Sequence, residues 1–290
     1  MSSGQPARNV QIRLLPILLA LIAAAVLIAK GWQAGPFGRH QVVALKPEQE
    51  SQLGAQAFQQ VLQESDVVSE GPIVAAVRRI GGRLADASNN KEVLARLQLQ
   101  PQRFQWAYRV VRSRQFNAFC LPGGKVVVYT GILPVAETED GLATVLGHEI
   151  GHALAHHGAE RMAQQQLVQL GQFAVASSLG NLDPQQQREV MGLLGAGSQF
   201  GILLPFSRKH ESEADHIGLL LMAAAGYDPR EAIQFWQRME KAGGGTRSEF
   251  TSTHPSHEHR VRDLKHWLAE AEPLYDNSEK QRGQRPLPRP

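Results

Sequence analysis

The pentapeptide His148-Glu149-Ile150-Gly151-His152 constrains the fold of this 290-residue chain more tightly than any other stretch. Residues four apart on an α-helix share a face, so both imidazoles can grip one ion while Glu149 reaches a water beside it. The surrounding residues read as that helix. Leu142, Val145, Leu146, Ile150, Ala153 and Leu154 recur at helical spacing, Thr138 is a capping residue, and Glu139 and Asp140 suit the positive end of the helix dipole. At about 100° per residue, Glu149 falls inside the apolar stripe and the two histidines on its border. An ionised carboxylate facing a core is costly unless a cation answers it. A solvated surface helix has no reason to bury Glu149, and metal-dependent hydrolysis is the expectation.

Two imidazoles do not complete a catalytic zinc site, which takes three protein ligands and keeps a further position for water. A histidine six residues after His152 is excluded because position 158 is Gly. His156 would sit about 12 Å along the helix from His148, too far to share one tetrahedral ion, and is expected to be solvated or supporting. The downstream run Ser207-Arg208-Lys209-His210-Glu211-Ser212-Glu213-Ala214-Asp215 opens a second helix, running to 225 before the stop at Gly226-Tyr227-Asp228-Pro229. Glu211 and Asp215 are again four apart. One can ligate while the other holds a ligand imidazole by its free N–H. The competing reading is that these acidic residues only answer the dipole of their own helix.

Together with Asn117-Ala118-Phe119-x-x-Pro122-Gly123-Gly124 and Ser252-Thr253-His254-Pro255, these motifs resemble the HtpX-like and CAAX-prenyl-protease-like zinc metalloendopeptidases, in their Oma-, LoiP- and BepA-type branch, over residues 47–265. The resemblance implies a gluzincin site: one Zn2+ per chain bound by His148, His152 and Glu211, with Asp215 behind them. Zinc polarises a scissile carbonyl and lowers the pKa of a ligated water toward about 7, and Glu149 is the base that takes the proton. His254 is the candidate donor to negative charge on the carbonyl oxygen. Its alternative is a cap on the last helix. The resemblance also places Asn117 and Ala118 on a strand edge where an extended substrate pairs.

The rest of the chain predicts an α+β, predominantly helical fold, which the resemblance implies is of zincin type. Strands are expected over 104–111, 117–121 and 125–130, forming a small sheet beside the metal helix. Helices are expected over 47–64, 72–86, up to 179, and over 184–199. Cys120 is the lone cysteine, so no internal disulfide can form, and its apolar strand suggests a buried thiol.

Residues 14–29 carry no charge and span about 24 Å as a helix, somewhat short of the ~30 Å hydrocarbon core. The expected organisation is a short tail (1–13), a transmembrane anchor (14–30), a linker (31–46), the metallopeptidase domain (47–276) and a disordered basic tail (277–290). A cleaved signal sequence or a buried core helix are the alternatives for the anchor. The tail holds Arg8 and Arg13 and no acid, which favours tail-in and a catalytic domain outside the cytoplasm, at the periplasmic side of a bacterial inner membrane. A mitochondrial location is the alternative. Residues 41–276 hold 22 of the 30 basic and 26 of the 27 acidic residues, so the pI near 9.1 belongs to the ends. No nucleic-acid face is expected. Polypeptides are the expected partners, unfolded or misfolded envelope proteins by resemblance, and the membrane through the anchor. A zinc-stabilised chaperone or adaptor that binds without cutting is the second reading.

Overall fold

A computed structural model describes residues 13–178, 206–243, 254, 259–280 and 285–288. They divide into two compact units. The first contains helix α1 (Leu14–Gly31) and the part of helix α7 (His157–Ser178) from Glu160 onward. In it the Arg13 N–H donates to the Ser178 carbonyl at 2.9 Å. Leu14, Leu15, Leu18, Leu19, Leu21 and Ile22 of α1 are all exposed. Of this helix only Ala20 and Gly31 are buried, and a helix so apolar with most of its side chains exposed is long and apolar enough to cross a membrane. At 18 residues it is about 27 Å long.

The second unit holds the core. Its elements are β3 (Val67–Val68), α2 (Pro47–Gln63), α3 (Pro72–Ala87), α4 (Lys91–Leu97), β4 (Ala107–Val111), β5 (Ala118–Leu121), β6 (Lys125–Tyr129), α5 (Leu133–Ala136), α6 (Glu139–Leu154), α8 (Arg208–Ala224), α9 (Glu231–Gly243) and α10 (Arg260–Asp276). Short strands β1 (Trp32–Ala34) and β2 (His40–Val42) lie in the stretch expected to be a linker. The sheet order is β3-β4-β6-β5, with β4 and β6 parallel and the outer pairings antiparallel. β5 is therefore an edge strand, paired with β6 in the register Ala118↔Val128 and Cys120↔Val126.

The fold is α+β and predominantly helical, and the expected strands and the helices over 47–64 and 72–86 are present within a few residues of their expected ends. The helix expected over 184–199 lies outside the described residues. The 277–290 tail, expected to be disordered, is tied down at 285–287. Glu139 N–H donates to the Arg285 carbonyl and Leu287 N–H to the Glu137 carbonyl, while Leu287 packs on the core. Composition could not show this, because the tail is held by backbone pairing to one short segment rather than by an apolar pattern of its own.

α6 is the axle of the unit: every one of its residues except Ala153 is buried. Thr138 caps it, its hydroxyl accepting from Gly141 N–H at 3.1 Å. Burying Leu142, Leu146 and Ile150 contributes about 1.5–3 kcal/mol each. That apolar shell leaves His148, Glu149 and His152 inside the protein with their polar atoms to satisfy.

Candidate metal centre

Small residues bring the site together. A methyl group on Gly218 of α8 would lie 2.8 Å from Gly147 C and His148 N, and one on Gly151 would lie 2.8 Å from Ala214 O. The α6 and α8 backbones thus meet where Gly147 and Gly151 face Ala214 and Gly218. The first turns of α8, capped by Ser207 whose hydroxyl accepts from His210 N–H, carry Glu211 and Asp215 onto the histidine face of α6.

Four side chains converge there: His148, His152, Glu211 and His254 offer donor atoms within 4.8 Å of one another, all buried. His148 Nε2 is 3.1 Å from His152 Nε2 and 3.2 Å from His254 Nδ1. Glu211 reaches His254 Nδ1 at 3.0 Å, His152 Nε2 at 3.4 Å and His148 Nε2 at 3.5 Å. A tetrahedral zinc with bonds of about 2.0–2.1 Å holds its ligand atoms about 3.3 Å apart, and these separations straddle that value. The donor set is three imidazole nitrogens and one carboxylate, which suits zinc. Facing ring nitrogens 3.1 Å apart repel unless something positive lies between them, either a proton or a metal ion. The group fits zinc in both spacing and chemistry.

His148, His152 and Glu211 thus lie together, and His254 joins them from a segment whose flanking residues lie outside the described set. The last helix begins at Arg260 with His259 at its cap, so His254 does not cap it. His156 does not join the cluster; its Nδ1 is 2.9 Å from Glu50 Oε2.

Behind the donors, His148 Nδ1 lies 2.9 Å from Asp215 Oδ1. Arg260, which sequence reasoning passed over, ties the two carboxylates of α8 together. Its Nε donates to Asp215 Oδ2 at 2.6 Å and its Nη2 to Glu211 Oε2 at 2.7 Å. The guanidinium lies 3.7 Å from the centre of the Trp236 ring, and that ring meets His148 edge-on at 5.6 Å. No local signal marks Arg260 or Trp236, because each is an ordinary residue of an amphipathic helix until the tertiary fold aims it inward.

Electrostatics follow from burial set against pairing. Burial resists charge on His148, but its contacts with Asp215 and Glu211 prevail and hold it up at about 10. His152 is pushed well below the usual imidazole range, burial outweighing Glu211. Burial also opposes charge on Glu211, yet His254, His148 and His152 hold its carboxyl well below the ordinary value. Glu149 moves the other way: burial raises it, against the pull of His254 and His148. Its Oε2 accepts from Cys120 N–H on β5 at 3.1 Å, while Oε1 has no hydrogen-bond partner among the described residues and lies 3.5 Å from His254 Nε2. A carboxylate with one buried, unsatisfied oxygen is placed to take a proton.

Asn117 and Ala118 lead into edge strand β5, both buried, with Tyr129 N–H donating to the Asn117 carbonyl. Cys120 is partly buried, and burial raises its thiol well above the ordinary range, so it is no nucleophile.

Comparison with known proteins gives the family. The profile of Peptidase family M48 matches residues 83–268, a span that takes in α6, α8, His254 and Arg260. Mitochondrial metalloendopeptidase OMA1 of Schizosaccharomyces pombe is 45% identical over 177 residues, covering 60% of this chain and 50% of that protein. Metalloendopeptidase OMA1, mitochondrial, of Homo sapiens is 31% identical over 243 residues, covering 81% and 45%. Beta-barrel assembly-enhancing protease of Escherichia coli (strain K12) is 24% identical over 233 residues, covering 78% and 45%. The chain spans about half the length of the relatives it matches. With more than half of its residues matched by the family profile, the chain belongs to Peptidase family M48.

Proposed function

We propose that the chain is a membrane-anchored zinc metalloendopeptidase in which His148, His152 and Glu211 hold one zinc ion and Glu149 is the general base. One observation carries this reading: His148, His152 and Glu211 offer three buried donors spaced for one ion, with His254 beside them and a carboxylate, Glu149, that has an oxygen without a hydrogen bond among the described residues. When bound there, zinc supplies a Lewis acid that polarises a carbonyl and acidifies water. Glu149 takes a proton from the attacking water through Oε1 and hands it to the leaving amine. Its other oxygen is held by Cys120 N–H, which fixes the carboxylate against the edge strand. His254, whose Nε2 is 3.5 Å from Glu149 Oε1, is the side chain placed to donate to charge developing on the carbonyl oxygen. Asp215 accepts from His148 Nδ1–H and so keeps its Nε2 lone pair available.

An extended polypeptide pairing with β5 near Asn117 and Ala118 would present a peptide bond to Glu149. Two of the relatives are named mitochondrial endopeptidases and a third a β-barrel assembly-enhancing protease; misfolded or damaged membrane and envelope proteins are the substrates we assign. The exposed apolar α1 is read as the anchor of residues 14–30, with domain 47–276 outside the cytoplasm, on the periplasmic side of a bacterial inner membrane. The mitochondrial relatives keep the mitochondrial setting as the alternative. A non-cutting chaperone would need no buried base, which disfavours that second reading.

The test is digestion of unfolded casein by the full chain in detergent, with fragments identified by mass spectrometry. The proposal expects internal cuts that stop with a chelator and resume with added zinc. Release of terminal residues alone, or digestion indifferent to chelator, would overturn it.

A further inference from the structure

We infer that His157, Glu213 and Arg39 form a hydrogen-bonded relay that fixes the ring of His152 with its Nε2 lone pair facing the metal group. The inference rests on His152 being a metal ligand and adds three positioning residues to that site.

His157 follows His152 by five positions, and on an unbroken helix the two side chains would diverge by about 140°. The chain prevents this. α6 ends at Leu154, His156 adopts a left-handed conformation at φ 54°, and α7 starts at His157. The His156 ring turns to Glu50, 2.9 Å from its Nδ1, and histidine enters this backbone region more readily than most side chains. The turn folds His157 back until its Nδ1 is 2.9 Å from His152 Nδ1. His157 is fully buried, stacked on His210 with ring centres 4.4 Å apart.

Each contact in the relay has its donor decided by the next one. Arg39 can only donate: its Nε lies 3.1 and 3.0 Å from the two oxygens of Glu213, and its Nη2 is 2.9 Å from Oε2. Glu213 is therefore an ionised acceptor, and His157 Nε2, 2.7 Å away, carries the hydrogen. His157, fully buried and stacked on His210, spends its ring hydrogen on Glu213 and is read as accepting at Nδ1, which puts the hydrogen of the 2.9 Å contact on His152 Nδ1. His152 Nε2 is left with its lone pair toward His148, Glu211 and His254. His148 is served by a parallel chain through Asp215 to Arg260. The acidic residues of α8 thus divide the labour: Glu211 enters the metal group, Asp215 orients one histidine directly, and Glu213 orients the other through His157.

The test is zinc affinity of the full chain by chelator competition, alongside fold integrity by circular dichroism. His157→Phe removes the acceptor and is expected to weaken zinc binding about 10–100-fold. His157→Asn places an amide oxygen where Nδ1 was and is expected to recover part of that loss. Glu213→Gln keeps an acceptor for the His157 ring but loses the charge, and is expected to fall between wild type and His157→Phe. A folded His157→Phe that binds zinc like wild type, or a His157→Asn no better than His157→Phe, overturns the relay. Should His157→Phe fail to fold, unchanged affinity in Glu213→Gln overturns it instead. Wild-type protein that binds no zinc would defeat the metal reading itself, whereas loss of zinc in His148→Ala with retention in His157→Phe defeats only the relay.

Discussion

Two buried acids of α6 are held for opposite ends. Glu149 sits beside the imidazoles of His148 and His254 with one oxygen fixed by a hydrogen bond and the other without one among the described residues, while Asp140 sits nine residues earlier with no ion pair among the described residues. Asp140 is buried, accepts from Asp228 N–H at 3.1 Å, and is pushed up to about 7 chiefly by burial, with Asp228, Glu231 and Glu139 adding to the rise. A carboxyl whose pKa is raised on folding favours the folded state while protonated. That contribution is complete below the ordinary value near 4 and is lost as pH rises toward 7. Asp140→Asn keeps the acceptor and removes the titration. The Tm advantage of the variant over wild type is therefore expected to grow between pH 4.5 and 7.5, by up to a few kcal/mol of stability. Parallel pH profiles would contradict this. At this scale the sequence was informative for residues that sit in local patterns, such as His148, Glu149, His152, Glu211 and Asp215. It was silent for Arg260, Trp236 and His157, whose roles depend on partners that only the fold brings close.

At the scale of elements, the approach of α6 and α8 decides whether there is a site at all. Gly218→Ala would ordinarily gain about 0.5–1 kcal/mol of helix propensity, but the new methyl would lie 2.8 Å from main-chain atoms of α6 that cannot swing aside. The clash prevails. We expect a net loss of about 1–3 kcal/mol and a weaker zinc site, read by thermal unfolding and chelator competition. Unchanged stability and affinity would show that the helices are less tightly apposed. Helices α2, α3, α6 and α8 were legible from periodicity and caps, and so were the three longer strands of the sheet. Strand β3 has two residues, too few for a period, and α4 has seven. The pairing of 285–287 with 137–139 is a backbone contact that no side-chain pattern encodes.

For the whole molecule, the exposed apolar helix α1 separates a membrane-attached protein from a soluble one. If α1 is the anchor, the full chain stays in the membrane fraction through alkaline carbonate, whereas a chain lacking residues 1–31 loses that attachment; release of the full chain by carbonate would contradict the anchor. The central claim concerns chemistry, and its most direct measurement compares wild type with Glu149→Gln, both loaded with zinc to the same stoichiometry by elemental analysis, on unfolded casein. The substitution removes the base while leaving an acceptor for Cys120 N–H and the donor group intact. The account predicts equal zinc content and a rate lower by about 10²–10⁴-fold in the variant. Equal rates at equal zinc content would contradict it.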